Sequence, residues 1–145
     1  MLSVVYNDPF IVFPFRLYGL GFAFGEAVYR RLPVGTLFLG ETIARCYILA
    51  HTIHRAFNAQ SNVAPAVIAF DTLIHDGFSC AFFPPVLAYH VYKIFESLMG
   101  DLEFLPMFFR KNVPAVISLA AVWYTYPHFD ELVEKFMNET IRQVY

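Results

Sequence analysis

The sequence predicts an all-α integral membrane helical bundle with about three spanning or part-spanning helices, followed by a C-terminal amphipathic helix. Three observations carry this expectation. Composition comes first: 58% of the 145 residues are hydrophobic without counting glycine, 19% are aromatic and 15% are charged, and the mean hydropathy is +0.51. Soluble domains run about 45–50% apolar even with glycine included. Second, the apolar residues fall in long regions punctuated by proline, not in the short alternating runs of strands. Third, beyond Pro127 the pattern changes to apolar residues at three- and four-residue steps, the stripe of an amphipathic helix.

Taken in order, residues 1–15 contain Pro9 and Pro14 and are expected to lie extended or at an interface. A helix is expected from about Pro33 to His54, with Pro33 in its first turn, where a missing N–H costs nothing. The third region, about Ala64 to Met99, is interrupted by Pro84 and Pro85, which predict a sharp kink or two half-helices. The fourth, about Val113 to Tyr126, is expected to close at Pro127. Residues 128–145 then form the amphipathic helix, with Phe129, Leu132, Val133, Phe136, Met137, Ile141 and Val144 on one face. The whole of 1–145 reads as a single helical domain. The longest uncharged runs, Gly77–Tyr92 and Asn112–His128, fall short of the 18 or so apolar residues of an isolated span. Spanning therefore requires the polar groups between them to face protein.

A net charge of −2 without clustered basic residues gives nucleic acid no electrostatic foothold. Cys46 and Cys80 lack metal or redox spacing and are expected as buried, reduced thiols. No cleavable presequence is apparent; Asp8 precedes the first basic residue, Arg16. Counting basic residues over three spans puts Arg16, Arg30, Arg31, Lys93, Arg110 and Lys111 on one side. Arg55, Lys135 and Arg142 fall on the other, which orients the N-terminus towards the matrix or cytoplasm.

The stretch YGLGFAFGEAVYRRLP lacks the GxGxxG spacing and the strand–turn–helix context of a dinucleotide loop. Gly19, Gly21 and Gly25, with Ala23 and Ala27, instead make a small-residue face on which a second backbone can approach closely. Charged residues in the apolar regions pair at four-residue spacing, Glu26 with Arg30 and Glu41 with Arg45, while Asp71, His75 and Asp76 form a further cluster. Such an intramembrane polar network either fixes helix register or carries ions or protons. His51 and His54 form an HxxH near a helix end and are expected to face solvent or headgroups; without an ExxH, no metal or haem site is expected. No nucleophile elbow or Cys–His signature is present, so the chain reads as non-enzymatic, with no catalytic residue and no cofactor.

Arg16, Gly19, Gly25, Glu26, Ala27 and Pro33 reproduce an R-x-x-G-x5-G-E-A-x5-P pattern, followed by Leu39, Ala44, Tyr47, Leu49, Ala50 and Ile53. Asp71–Thr72, Pro84, and then Pro127, Asp130, Val133, Arg142 and Tyr145 continue the series. In these residues the chain resembles the mitochondrial fission process protein family, small multi-spanning proteins of the inner mitochondrial membrane. The resemblance covers most of residues 16–145, with a shorter, less charged linker at 56–64 and little likeness over 86–112. It implies an inner-membrane location, a role in mitochondrial division or inner-membrane organisation, and no catalytic residues. The partners expected are the lipid bilayer and other inner-membrane proteins. A second reading, motivated by the trimmed linker and 17 phenylalanines, is a supernumerary subunit of a respiratory-chain complex or ATP synthase. A third is an ion or proton conductor using Glu41, Arg45, Asp71 and His75.

Overall fold

A computed structural model describes residues 8–12, 14–28, 33–58 and 63–143. Every regular element among them is helical. A 3₁₀ turn, Phe15–Leu20, leads into a short helix α1, Gly21–Val28, and α2 follows at Val34–Asn58. Helix α3 (Pro65–Asp76), a π-helical turn (Gly77–Phe82) and α4 (Phe83–Gly100) join into one helical run of 36 residues. Helix α5 spans Met107–Glu139, and a 3₁₀ turn at Ile141–Gln143 ends the described chain. Helix α1 is central, packing on α2, α4 and α5, while α4 lies along α5 and α3 along α2.

Local chemistry accounts for most of the element starts. The Pro33 carbonyl accepts the Thr36 amide at 2.8 Å, so the proline precedes the first turn of α2. Pro65 occupies the first turn of α3, where its missing donor is harmless.

Pro84 and Pro85 do not divide the third region into half-helices. They fall in the first turn of α4, and the hydrogen-bond register changes upstream, in the π turn. A π turn shifts the backbone ladder by one residue, which accommodates what an unbroken α-helix would find incompatible with two prolines.

Pro127 does not end a helix either. It lies inside α5, and no separate helix begins at residue 128. An interior proline costs on the order of 3 kcal/mol through one lost hydrogen bond and a ring clash. Here the two halves share one buried stripe in phase, Ala115, Ser118, Val122 and Tyr126 before the proline and Val133 and Met137 after it. Bending the chain away at Pro127 would strip one half of its packing. Of the expected amphipathic face, Val133 and Met137 are buried, whereas Leu132 and Phe136 are exposed. Val144 and Tyr145 lie outside the described residues.

Of the N-terminal segment, expected extended or at an interface, the described part is turned and not extended, with the Ile11 amide on the Asp8 carbonyl at 3.2 Å and the Val12 amide on that of Pro9 at 3.4 Å. Residues 1–7 and Phe13 lie outside the described residues.

The core is built largely from small and polar residues. Ala23, Ala27, Ala44 and Ala88 are at most 1% exposed, and Thr72, Ser79 and Ser118 are equally buried. Twenty-eight large apolar or aromatic side chains are exposed among the described residues, among them Phe38, Phe57, Phe70, Phe108, Trp123 and Tyr124. The small residues permit close backbone approach. A Cβ on Gly21 would meet the Gly40 carbonyl oxygen at 2.2 Å, and one on Gly40 would meet that of Gly21 at 2.6 Å. A Cβ on Gly19 would fall 2.8 Å from Cys80 Sγ, and one on Gly25 the same distance from Leu37 Cδ1. Of the two cysteines, Cys80 is buried as expected of it, but Cys46 is exposed because it lies on the outward face of α2.

Candidate functional site

On α2, Gly40, Ala44, Tyr47, Ile48 and His51 are buried at helical spacing and form its inward stripe. The stripe ends in an imidazole, so a polar partner is needed at that depth. Two carboxylates supply it. His51 Nδ1 lies 2.6 Å from Asp76 Oδ2 on α3, and Nε2 lies 3.0 Å from Asp8 Oδ2 on the N-terminal segment. His51 therefore does not face solvent or headgroups, as its position near a helix end suggested; its side chain is 4% exposed. His54, half-buried, has Nδ1 at 3.8 Å from Asp8 Oδ1, and Arg55 Nε is 3.9 Å from Asp8 Oδ2.

The polar chain continues past Asp76. His75 Nδ1 is 3.3 Å from Asp76 Oδ1, and His75 Nε2 is 3.7 Å from Glu134 Oε2 on α5. Glu134 also pairs with Arg142, which donates to both oxygens of Asp71 at 2.8 and 2.7 Å and to Asn138 at 2.8 Å. The Asp71 hydrogen bonds, the leading influence, raise the Arg142 pKa above even its ordinary high value. Asp71 thus meets the 3₁₀ turn that follows α5. The result is a carboxylate–imidazole alternation, Asp8–His51–Asp76–His75–Glu134, closed by a cation and a further carboxylate.

His51, Arg55, His75, Asp76 and Glu134 border a cavity of about 360 Å³, lined also by Ile11, Arg16, Tyr47, Ser79, Tyr126, Asp130 and Glu131. Arg16 pairs with Asp130 and sits over the Tyr126 ring, 5.1 Å from its centre. Charge counting set Arg16 and Arg55 on opposite sides; the fold brings both to this cavity, because the N-terminal turn packs back on the end of α2. The Tyr47 hydroxyl donates to the Phe10 carbonyl at 2.9 Å, and the Tyr126 hydroxyl lies 3.3 Å from Cys80 Sγ. The π turn contributes Ser79 to the lining, so the irregularity in the third region falls at the polar site. A second cavity of similar volume, between α1, α2 and α5, has a floor of Gly21, Ala23 and Gly40 and apolar walls that include Ile43, Leu119 and Trp123.

The remaining residues singled out from sequence sit elsewhere. Glu41 and Arg45 bond at 2.7 Å, with Arg45 largely exposed, as a pair of their own on α2. Glu26 is half-buried; Arg30, expected opposite it, lies outside the described residues, as does Arg31. Gly19, Ala23, Gly25 and Ala27 are buried and Gly21 is half-buried. His90 is exposed and lies edge-on to Tyr89. No group of three or more His, Cys, Asp or Glu side chains arranged to hold a metal ion occurs among the described residues.

Sequence reasoning did not single out Asp8, Tyr126, Asp130, Glu134 or Arg142 as site residues. The inward stripe on α2 could have flagged His51 as buried. No spacing rule pairs Asp8 with His51 or Arg142 with Asp71, which lie 43 and 71 residues apart. No family model, curated protein or solved structure matches this chain.

Proposed function

We propose that this chain is a non-catalytic helical protein of the inner mitochondrial membrane, of the fission-process type, acting by packing against other membrane proteins. One observation carries the membrane part of this reading: the radial distribution of side chains. Alanine, glycine, serine and threonine occupy many of the helix contacts and Asp8, His51 and Asp76 point inward, while many phenylalanine, leucine and isoleucine side chains and the tryptophan point outward. In water each large apolar side chain left exposed forgoes about 1.5–3 kcal/mol of burial. In lipid the outward face costs nothing, and association falls to small-residue contacts and interhelical hydrogen bonds. The helical run Pro65–Gly100 is long and apolar enough to cross a membrane, and only 28% of its most apolar window is buried. Among the described residues it is the one run to meet that standard; the others would cross as members of the bundle.

The fission-process assignment rests on the resemblance. Arg16, Asp130, Asp71 and Arg142, scattered over the resembling residues, meet in two ion pairs. Gly19, Ala44 and Tyr47 from the same set lie in the buried interior.

Carbonate extraction followed by mild-detergent native fractionation of mitochondria tests the proposal. Retention in the membrane pellet and migration apart from the respiratory complexes are expected. Release by carbonate would overturn the membrane reading. Stoichiometric co-migration with one oxidative complex would replace the fission-process role with that of a supernumerary subunit.

A further inference from the structure

The carboxylate of the N-terminal turn is docked on the bundle chiefly through one imidazole, His51. Asp8 is 8% exposed and its carboxylate meets His51 Nε2, while the opposite ring nitrogen meets Asp76, itself 5% exposed. The Phe10 ring stacks on the His51 imidazole at 5.5 Å and 23°. The Phe10 amide donates to Asp8 Oδ1 at 3.0 Å, so the carboxylate also shapes the turn it anchors. We propose that His51 is a pH-controlled latch, docking the segment Asp8–Val12 on α2 when protonated and releasing it when neutral.

The sign follows from donor counting. An imidazolium has two N–H donors and serves both carboxylates; a neutral imidazole has one. The retained proton stays with Asp76, at 2.6 Å and further fixed by His75, not with Asp8 at 3.0 Å. Asp8 then faces a lone pair from a buried position, an unfavourable arrangement that leaving relieves. Docking is therefore complete at low pH and lost as pH rises through the His51 titration.

Other groups bear on the same equilibrium. On α2 these are Tyr47, His54 and Arg55, and on α3 His75 and Asp76. Across the cavity are Arg16, Tyr126, Asp130, Glu131 and Glu134. Arg55, 3.9 Å from Asp8, softens the release without replacing the lost hydrogen bond. The cavity beside His51 gives protons a route to it. Release would uncover Tyr47, whose hydroxyl is held by the Phe10 carbonyl, and widen the cavity at Ile11. This device goes beyond the proposed membrane role and does not depend on it.

The test is hydrogen exchange of the Phe10, Ile11 and Val12 amides in the full-length protein in detergent micelles. Measurements run from about pH 5 to 9, the range in which imidazoles titrate, and are corrected for intrinsic exchange. Protection in the wild type is expected to fall about 10- to 100-fold with rising pH, the worth of one hydrogen bond to a charged group. In H51Q the change of protection with pH should disappear, because the glutamine carboxamide does not titrate. In D8N it should stay docked at every pH, because the carboxamide that replaces the carboxylate can donate to neutral His51 Nε2. The last result separates a latch from simple destabilisation, which could not raise protection at high pH. A flat wild-type profile, or a wild-type transition surviving in either variant, would overturn the proposal.

Discussion

Replacing Gly21 by alanine tests the close crossing of α1 and α2 directly. The new Cβ would lie 2.2 Å from the Gly40 carbonyl oxygen, about 0.8 Å inside the 3.0 Å below which real Cβ atoms are essentially never found. The obstacle is backbone on a second helix, so no rotamer change relieves it and α1 must move off α2. Overpacking typically costs about 1–3 kcal/mol, and a rigid obstacle puts Gly21→Ala at the upper end, about 3 kcal/mol. Gly40→Ala, at 2.6 Å from the Gly21 carbonyl oxygen, should cost somewhat less. Gly25→Ala meets only the Leu37 Cδ1 methyl at 2.8 Å, which can swing aside, and should cost under about 1 kcal/mol. Gly35, with nothing within 4 Å of its Cβ position, is the internal control. Gly35 lies in the first turn of α2, so its replacement by alanine should be neutral or stabilise by less than the roughly 0.5–1 kcal/mol of a mid-helix glycine. Equilibrium unfolding of the four variants in one detergent system, followed by circular dichroism, gives the order directly. Gly21→Ala falling within about 0.5 kcal/mol of Gly35→Ala would refute the crossing.

The ion pair between Asp71 and Arg142, with side chains 13% and 19% exposed, should behave as a partly buried pair. Asp71→Asn is expected to cost about 1–3 kcal/mol. A double-mutant cycle with Arg142→Gln should return a coupling of about 1–2 kcal/mol; additive single effects would show that the pair does not form. The two prolines inside α5 should respond in opposite ways. Pro127 is exposed, so Pro127→Ala restores a helical N–H and should stabilise by about 1–3 kcal/mol in thermal unfolding. Pro114 is fully buried, so Pro114→Ala trades the same gain for a cavity and should be neutral or destabilising. Equal stabilisation by both changes would contradict the buried placement of Pro114.

Features confined to one helix were legible in the sequence. The all-helical class, the boundaries of α2 to within a few residues, and the Glu41–Arg45 pair all follow from the fixed geometry of a turn, which sets what lies three or four residues away. The continuity of α5 was not read from the sequence: proline at 127 argued for a break, although Ala115, Ser118, Val122, Val133 and Met137 share one helical phase. Local propensity lost to packing there, because the stripe is buried on both sides of the proline.

The site itself is a product of chain return. His51 lies between Asp8 and Asp76, Arg16 beside Asp130, and Asp71 beside Arg142 because the fold brings segments distant in the chain into contact. Periodicity specifies which face of a helix turns inward, and so which side chains need partners. It carries no information about which other helix supplies them. Composition and helical phase thus require that ionisable groups be satisfied inside an apolar bundle. Their actual pairing belongs to the folded chain, since each ion pair or hydrogen bond is set by the three-dimensional distance between segments far apart in the sequence.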